Sequence, residues 1–101
     1  MAFEISILAD AVEDIDNAFI WYEQQLIGLG NDFFNCIDDS INYISINPYS
    51  NAVVKKNIRR HLINKFPYGI YYKINLKLNL VQIIAVIHFK RSKNVLKKRI
   101  I

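Results

Sequence analysis

One stretch of this chain limits its possible folds more than any other. From Leu80 to Phe89 almost every residue is apolar. Read at the two-residue period of a strand, Val81, Ile83, Ala85 and Ile87 point one way, and Leu80, Ile84 and Val86 point the other. A strand that is apolar on both sides belongs in the middle of a sheet, with a covering layer on each face. Its uninterrupted apolar core, Ile83 to Ile87, is far too short to cross a bilayer, so no membrane partner is expected.

The sequence upstream offers one such layer. Asp10 reads as an N-cap, and Glu13 completes a capping-box-like pair three residues on. Ala11, Ile15, Ala18, Phe19, Tyr22 and Leu26 recur at helical spacing, which predicts a first helix running to about Leu26. Gly28-Leu29-Gly30 stops it. These glycines follow a helix rather than a strand, so they do not form a phosphate-binding loop. Asn31 or Asp32 is expected to cap a second helix. Its apolar stripe is Phe33, Ile37, Ile41 and Ile44, and Asn47-Pro48 ends it. The two helices make an antiparallel hairpin.

The remaining sequence reads as strands. Glu4–Ala9 forms a first strand, and the residues from Tyr49 to about Lys56 form a loop. Ile58–Asn64 and Tyr68–Ile74 are strands separated by the Phe66-Pro67 break, and Lys77–Asn79 is a hairpin turn. The expected architecture is α+β, in the order strand, helix, helix and three strands. A helical hairpin would pack on one face of a small, mainly antiparallel, twisted sheet. The hairpin covers only one face of the apolar strand. Either a partner protein covers the other, or the sheet curves enough to close on itself. The basic tail, Ser92–Ile101, reads as an amphipathic helix or a frayed end.

With 101 residues the chain is expected to be one domain, and 52% hydrophobic residues is much for so small a core to hide. Its charges are segregated. All nine acids lie between Glu4 and Asp39, and all thirteen lysines and arginines lie between Lys55 and Arg99. A basic half at this density points to a polyanion or an acidic protein as partner. The single cysteine, Cys36, sits among Phe33, Phe34 and Ile37 and reads as a small core hydrophobe. It permits no internal disulfide and fits a reducing compartment. With no secretory leader pattern at Met1-Ala2-Phe3-Glu4, the expected address is the cytoplasm. Two histidines and one cysteine do not make a metal site, and no cofactor is expected.

Short motifs along nearly the whole chain carry a resemblance. Ala11, Asp14-Ile15, Ala18 and Trp21-Tyr22-Glu23 come first, followed by Gly28-Leu29-Gly30 with Phe33, and by Asn47-Pro48. Arg59-Arg60, Phe66-Pro67-Tyr68, Ile70 and Tyr72 follow. Ala85-Val86-Ile87-His88, with Arg91 three residues on, closes the set. In this order they resemble the ParE-like branch of the RelE/ParE toxin superfamily. The chain departs from that branch at Lys93, where proline is common, and at Leu96, where tryptophan is.

The resemblance implies the toxin component of a type II toxin–antitoxin system. Such a toxin is neutralised by a cognate antitoxin in a hetero-oligomer, and it inhibits growth by binding an essential target such as DNA gyrase. The alternative within the superfamily is a RelE-like, ribosome-dependent messenger-RNA endoribonuclease. A third reading is a non-toxic nucleic-acid-binding module or decayed toxin. A nuclease must drive a 2′-hydroxyl onto the adjacent phosphate, which needs proton transfer and cationic stabilisation. Arg60, His88 and Arg91 are its candidates. No tyrosine follows Tyr72 and no histidine follows His88, so His88 would carry the proton transfer alone. Target or nucleic-acid contacts are expected from Lys55, Lys56, Arg59, Arg60, Lys90, Arg91, Lys97, Lys98 and Arg99. The antitoxin is expected on an uncovered sheet face at Tyr72, Leu80, Ile84 and Val86. Arg60 could instead be a structural arginine paired with an acid of the first helix.

Overall fold

A computed structural model describes residues 2–99. Its elements are β1 (Glu4–Ile7), α1 (Ala9–Gln25), α2 (Leu29–Ile46), β2 (Val53–Lys55), β3 (Ile58–Leu62), β4 (Tyr68–Asn75), β5 (Leu80–His88) and α3 (Ser92–Arg99). A single 3-10 turn, Phe89–Arg91, joins β5 to α3. The strands form one five-stranded sheet in the order β1-β5-β4-β3-β2. The doubly apolar strand β5 is interior, as its composition requires. It pairs in parallel with β1 from Leu80 to Ile83 and antiparallel with β4 along its whole length.

The helical hairpin lies on one face of the sheet. Ala11, Ile15, Ala18 and Tyr22 of α1, with Phe33, Ile37 and Ile44 of α2, close over Ile70, Tyr72, Val81, Ile83 and Val86. Each large side chain buried here contributes about 1.5–3 kcal/mol. Tyr22, Phe33, Phe66 and Tyr68 form an aromatic cluster under one end of the hairpin, with centroid separations from 4.8 to 6.0 Å.

The helix ends differ from the capping pattern read in the sequence. Leu8 is the N-cap of α1 and makes no side-chain cap bond, while Asp10 lies in the first turn. The second helix begins at Leu29 with Gly28 as its N-cap, three or four residues before the expected caps. Its first amides are satisfied from outside the helix. The Glu23 carboxylate accepts from Gly28 N–H at 3.0 and 3.1 Å and from Gly30 N–H at 3.0 Å. A cap supplied by the preceding helix frees Asn31 and Asp32 from that role. Gly28 makes the turn at φ +93°, and Gly30 lets the helices touch, since a Cβ there would sit 2.9 Å from the Phe19 carbonyl oxygen.

Three larger features were not anticipated. Part of the expected loop is a short edge strand, β2, paired with β3. Strict alternation fails in β5, because Tyr71 faces Ala85 while Tyr72 faces Ile83, leaving Ile84 as a bulge. Beyond the bulge the faces exchange. Val81, Ile83 and Val86 join the helix-side core, whereas Ile84, Ala85 and Ile87 join the opposite cluster. Finally, the second face is covered by this chain itself. Leu96 of α3, with Val95 beside it, packs on Ile58, Tyr71, Ile84, Ala85 and Ile87. The tail is therefore a docked helix as far as Arg99; Ile100 and Ile101 lie outside the described residues.

Candidate functional site

The outer face of the sheet carries a cavity of about 490 Å³ between β2, β3, β4 and α3, lined by Val54, Lys55, Arg60, Tyr71, Ser92, Lys93, Asn94, Leu96 and Lys97. Four of these are cations and none is a carboxylate. Arg60 faces it because it pairs across the sheet with Tyr71. Gly69 makes room for both side chains: a Cβ there would lie 3.3 Å from Arg60 Cγ and 3.1 Å from Tyr71 Cε1. Lys93 and Lys97 reach it together because residues four apart share a helix face. At the floor lies Tyr71, 1% exposed, whose hydroxyl has no hydrogen-bond partner among the described residues. Four cations around one cavity suit a phosphate or carboxylate ligand.

A second cleft, of about 340 Å³, lies on the helix side. It is lined by Asp10, Glu13, Asp14, Asn17, Trp21, Tyr68, Arg91 and Arg99, among others. Burial raises the Tyr68 phenol above its usual range; nearby Arg91 opposes that shift and Asp14 adds to it. His88 stands beside Tyr68, at 5.6 Å between ring centroids, and its Nδ1 accepts the Lys90 N–H at 3.1 Å.

The sequence-expected nuclease trio is not assembled. Arg60 shares the outer face with Tyr71, whereas His88 pairs with Tyr68 on the helix-side face. Arg91 lines the helix-side cleft. Arg60 is not paired with an acid of the first helix; that arrangement belongs to Arg99, whose guanidinium binds Asp14 at 2.5 and 2.9 Å. Of the other expected contact residues, Lys55, Lys56, Lys90, Lys97 and Lys98 are exposed. Arg59 is engaged in structure. It donates to the Asn51 and Tyr49 carbonyls at 2.6 and 3.3 Å and lies over the Tyr49 ring. Lys93 was missed, and Tyr71, whose ring packs in the outer-face cluster, was not among the candidates. The spacing of Lys93 and Lys97 around Leu96 was the available signal for the first.

The four residues expected on an uncovered face do not form one. Tyr72 and Val86 are in the helix-side core. Ile84 lies under α3, and Leu80 is half-buried at the start of β5. The bulge at Ile84 separates them, and α3 covers the face they were assigned to. Among the described residues, no group of three His, Cys, Asp or Glu side chains could hold a metal ion. No helix among them is long and apolar enough to cross a membrane.

No protein-family model matches the sequence. No curated protein matches it either. Solved structures do match. A chain of the chromosomal ParDE toxin–antitoxin system of P. aeruginosa superposes with a TM-score of 0.75 at 11% identity, covering 86% of this chain and 96% of that one. A mutant of the E. coli toxin RelE in the free state gives 0.70 at 12% identity, over 99% of this chain and 96% of that one. The toxin–antitoxin complex RelBE2 of Mycobacterium tuberculosis gives 0.61 at 13% identity, over 87% and 99%. Spatial agreement across so much of each chain, at identities this low, concerns the backbone: this chain has the RelE/ParE toxin fold.

Proposed function

We propose that this chain is the toxin half of a toxin–antitoxin pair, of the ParE-like kind, which arrests growth by gripping an essential target rather than by cutting RNA. The observation that carries this reading is the cationic cavity on the outer face, with the one histidine expected to move protons on the other face of the sheet. Lys55, Arg60, Lys93 and Lys97 can hold an anionic surface, but attack by a 2′-hydroxyl also needs a base and an acid near neutral pH. The target class is an acidic or phosphate-bearing surface, and DNA gyrase with its bound DNA fits it. The ribosome and messenger RNA fit the endoribonuclease alternative. The partner is an antitoxin with an acidic segment, which would reach Ile84 only by displacing α3.

The test is inducible expression with and without the neighbouring small gene, following plasmid supercoiling and transcript integrity together. Growth arrest with altered supercoiling and intact transcripts, relieved by the neighbour, is the expected result. Arrest with cleaved transcripts, lost in His88→Ala, would replace it with the nuclease reading. No arrest at all would overturn both.

A further inference from the structure

The geometry points to Asp14 and Arg99 as a paired fastening that places α3 on the sheet and so positions half of the cationic cavity. The helix is eight residues long, four of them cations, and Leu96 alone among them is buried. A helix of that length does not hold its shape alone in water. Docking also brings Lys93 and Lys97 beside Lys55 and Arg60, with no acid lining the space between them. Leu96, with only the half-buried Val95 beside it, has to work against helix ordering and like-charge repulsion, so a second attachment matters.

Arg99 supplies it at the far end of the helix. Its guanidinium meets Asp14 of α1 through Nη1 to Oδ2 and Nη2 to Oδ1, at 2.5 and 2.9 Å. The Asp14 and Arg99 side chains are only 11% and 19% exposed, so water screens this pair far less than a surface bridge. Arg99 also approaches Asp10, but at 3.9 Å and against a largely exposed carboxylate.

The strand pairing explains why the fastening sits there. β1 pairs with β5 only as far as Ile83, after which the chain turns into α1 and β5 has no strand on that side. Asp14 and Arg99 stand in the vacated edge. Asp14 Oδ2 accepts the Val86 N–H at 3.0 Å, and Arg99 Nη1 donates to the Ile84 carbonyl at 3.4 Å. The pair thus ties α1, the open edge of β5 and α3 into one unit. Two of the cavity's four cations stand on β2 and β3, and the other two on α3. If α3 leaves, the cavity no longer exists. Asp14 and Arg99 touch no ligand in this arrangement and act only through helix placement. The consequence for target contact rests on the function proposed above, whereas the docking of α3 does not.

Amide hydrogen exchange on the full chain tests the fastening, and binding of inorganic tripolyphosphate tests the cavity. Asp14→Asn keeps an acceptor for the Val86 amide while removing the charge. Arg99→Ala removes the guanidinium, Arg99→Lys restores charge without the two-pronged contact, and Lys98→Ala is the control. Exchange across α3 is expected to rise about tenfold in Asp14→Asn and Arg99→Ala, partly recover in Arg99→Lys, and rise no further in the double variant, with β4 unchanged. Tripolyphosphate binding should weaken in the same order, and Lys98→Ala should leave α3 exchange unchanged. Unchanged α3 exchange in Arg99→Ala, a variant that leaves the core intact, would overturn the fastening. So would additive effects in the double variant. A loosened helix with binding at full strength would overturn the positioning role. Failure of the unaltered chain to bind tripolyphosphate would count against the cavity as an anion site, while the exchange data would still decide the fastening.

Discussion

His61 lies in a chain of hydrogen bonds that holds the turn after α2. Asn51 Nδ2 donates to the Tyr72 hydroxyl at 3.1 Å, which in turn donates to the Pro48 carbonyl at 2.7 Å. The Asn51 Oδ1 is left to accept from His61 Nδ1 at 3.2 Å, and Tyr43 packs against the ring. The contact to Asn51 suits neutral imidazole with its proton on Nδ1, and burial lowers the His61 pKa below its ordinary value. The unfolded chain therefore binds more protons than the folded one between the lowered value and the ordinary ~6.5. Stability should rise with pH through that window, be complete above it, and be lost as pH falls through it. Urea unfolding between about pH 7 and 5 should show this slope, and His61→Gln should flatten it. Gly30 gives a second prediction at this scale. A methyl group there meets the backbone oxygen of Phe19, which cannot move as a side-chain tip could. Gly30→Ala should cost about 1–3 kcal/mol, read as a lower urea midpoint at constant slope.

At the scale of elements, α3 is the cover for the outer face. Truncation before Ser92 would bare Ile58, Tyr71, Ile84, Ala85 and Ile87 together. The shortened chain is expected to bind a hydrophobic dye and to self-associate in sedimentation, while keeping its helical circular dichroism from α1 and α2. A monomer that stays dark to the dye would show that α3 protects little. The strand that needed two covers was legible because β5 is apolar at consecutive positions, and such composition fits only an interior strand. The identity of the second cover was harder to read, since only Val95 and Leu96 mark an apolar face in a run of lysines and arginines. Strict period-two counting puts His88 on the same side as Ile84 and away from Val81. One bulged residue cancels that assignment, and no turn residue or proline marks the bulge in the sequence. The cations of the site were legible as a basic region. Among the nuclease candidates the bulge decided the face of His88 alone, whereas Arg60 takes its face from its pairing with Tyr71, and Asp14 gave no sign that its partner would lie 85 positions away.

Over the whole molecule, the charge boundary in the sequence becomes a boundary in space: every acid is on β1, α1 or α2, and every lysine and arginine lies after them. The helical layer and the outer face of the sheet therefore carry opposite charge. Ion pairing recovers little of the separation, since among the described residues only Arg99 bridges the two halves. The cations around the outer cavity then repel one another when no ligand is present, a cost that structure alone does not require. Replacing Lys55 and Arg60 with Gln should thus leave thermal stability unchanged or raise it by up to about 0.5 kcal/mol per site, because exposed repulsions of this kind are weak but real. If the chain acts as the toxin proposed above, the same change should abolish growth arrest and flatten the salt dependence of polyanion binding by about one unit of slope per lost contact. Stability and activity moving in opposite directions is the signature of residues kept for a target. If both fell together, Lys55 and Arg60 would be holding the β2–β3 edge in place, and the cavity would lose its claim to be where this protein meets its target.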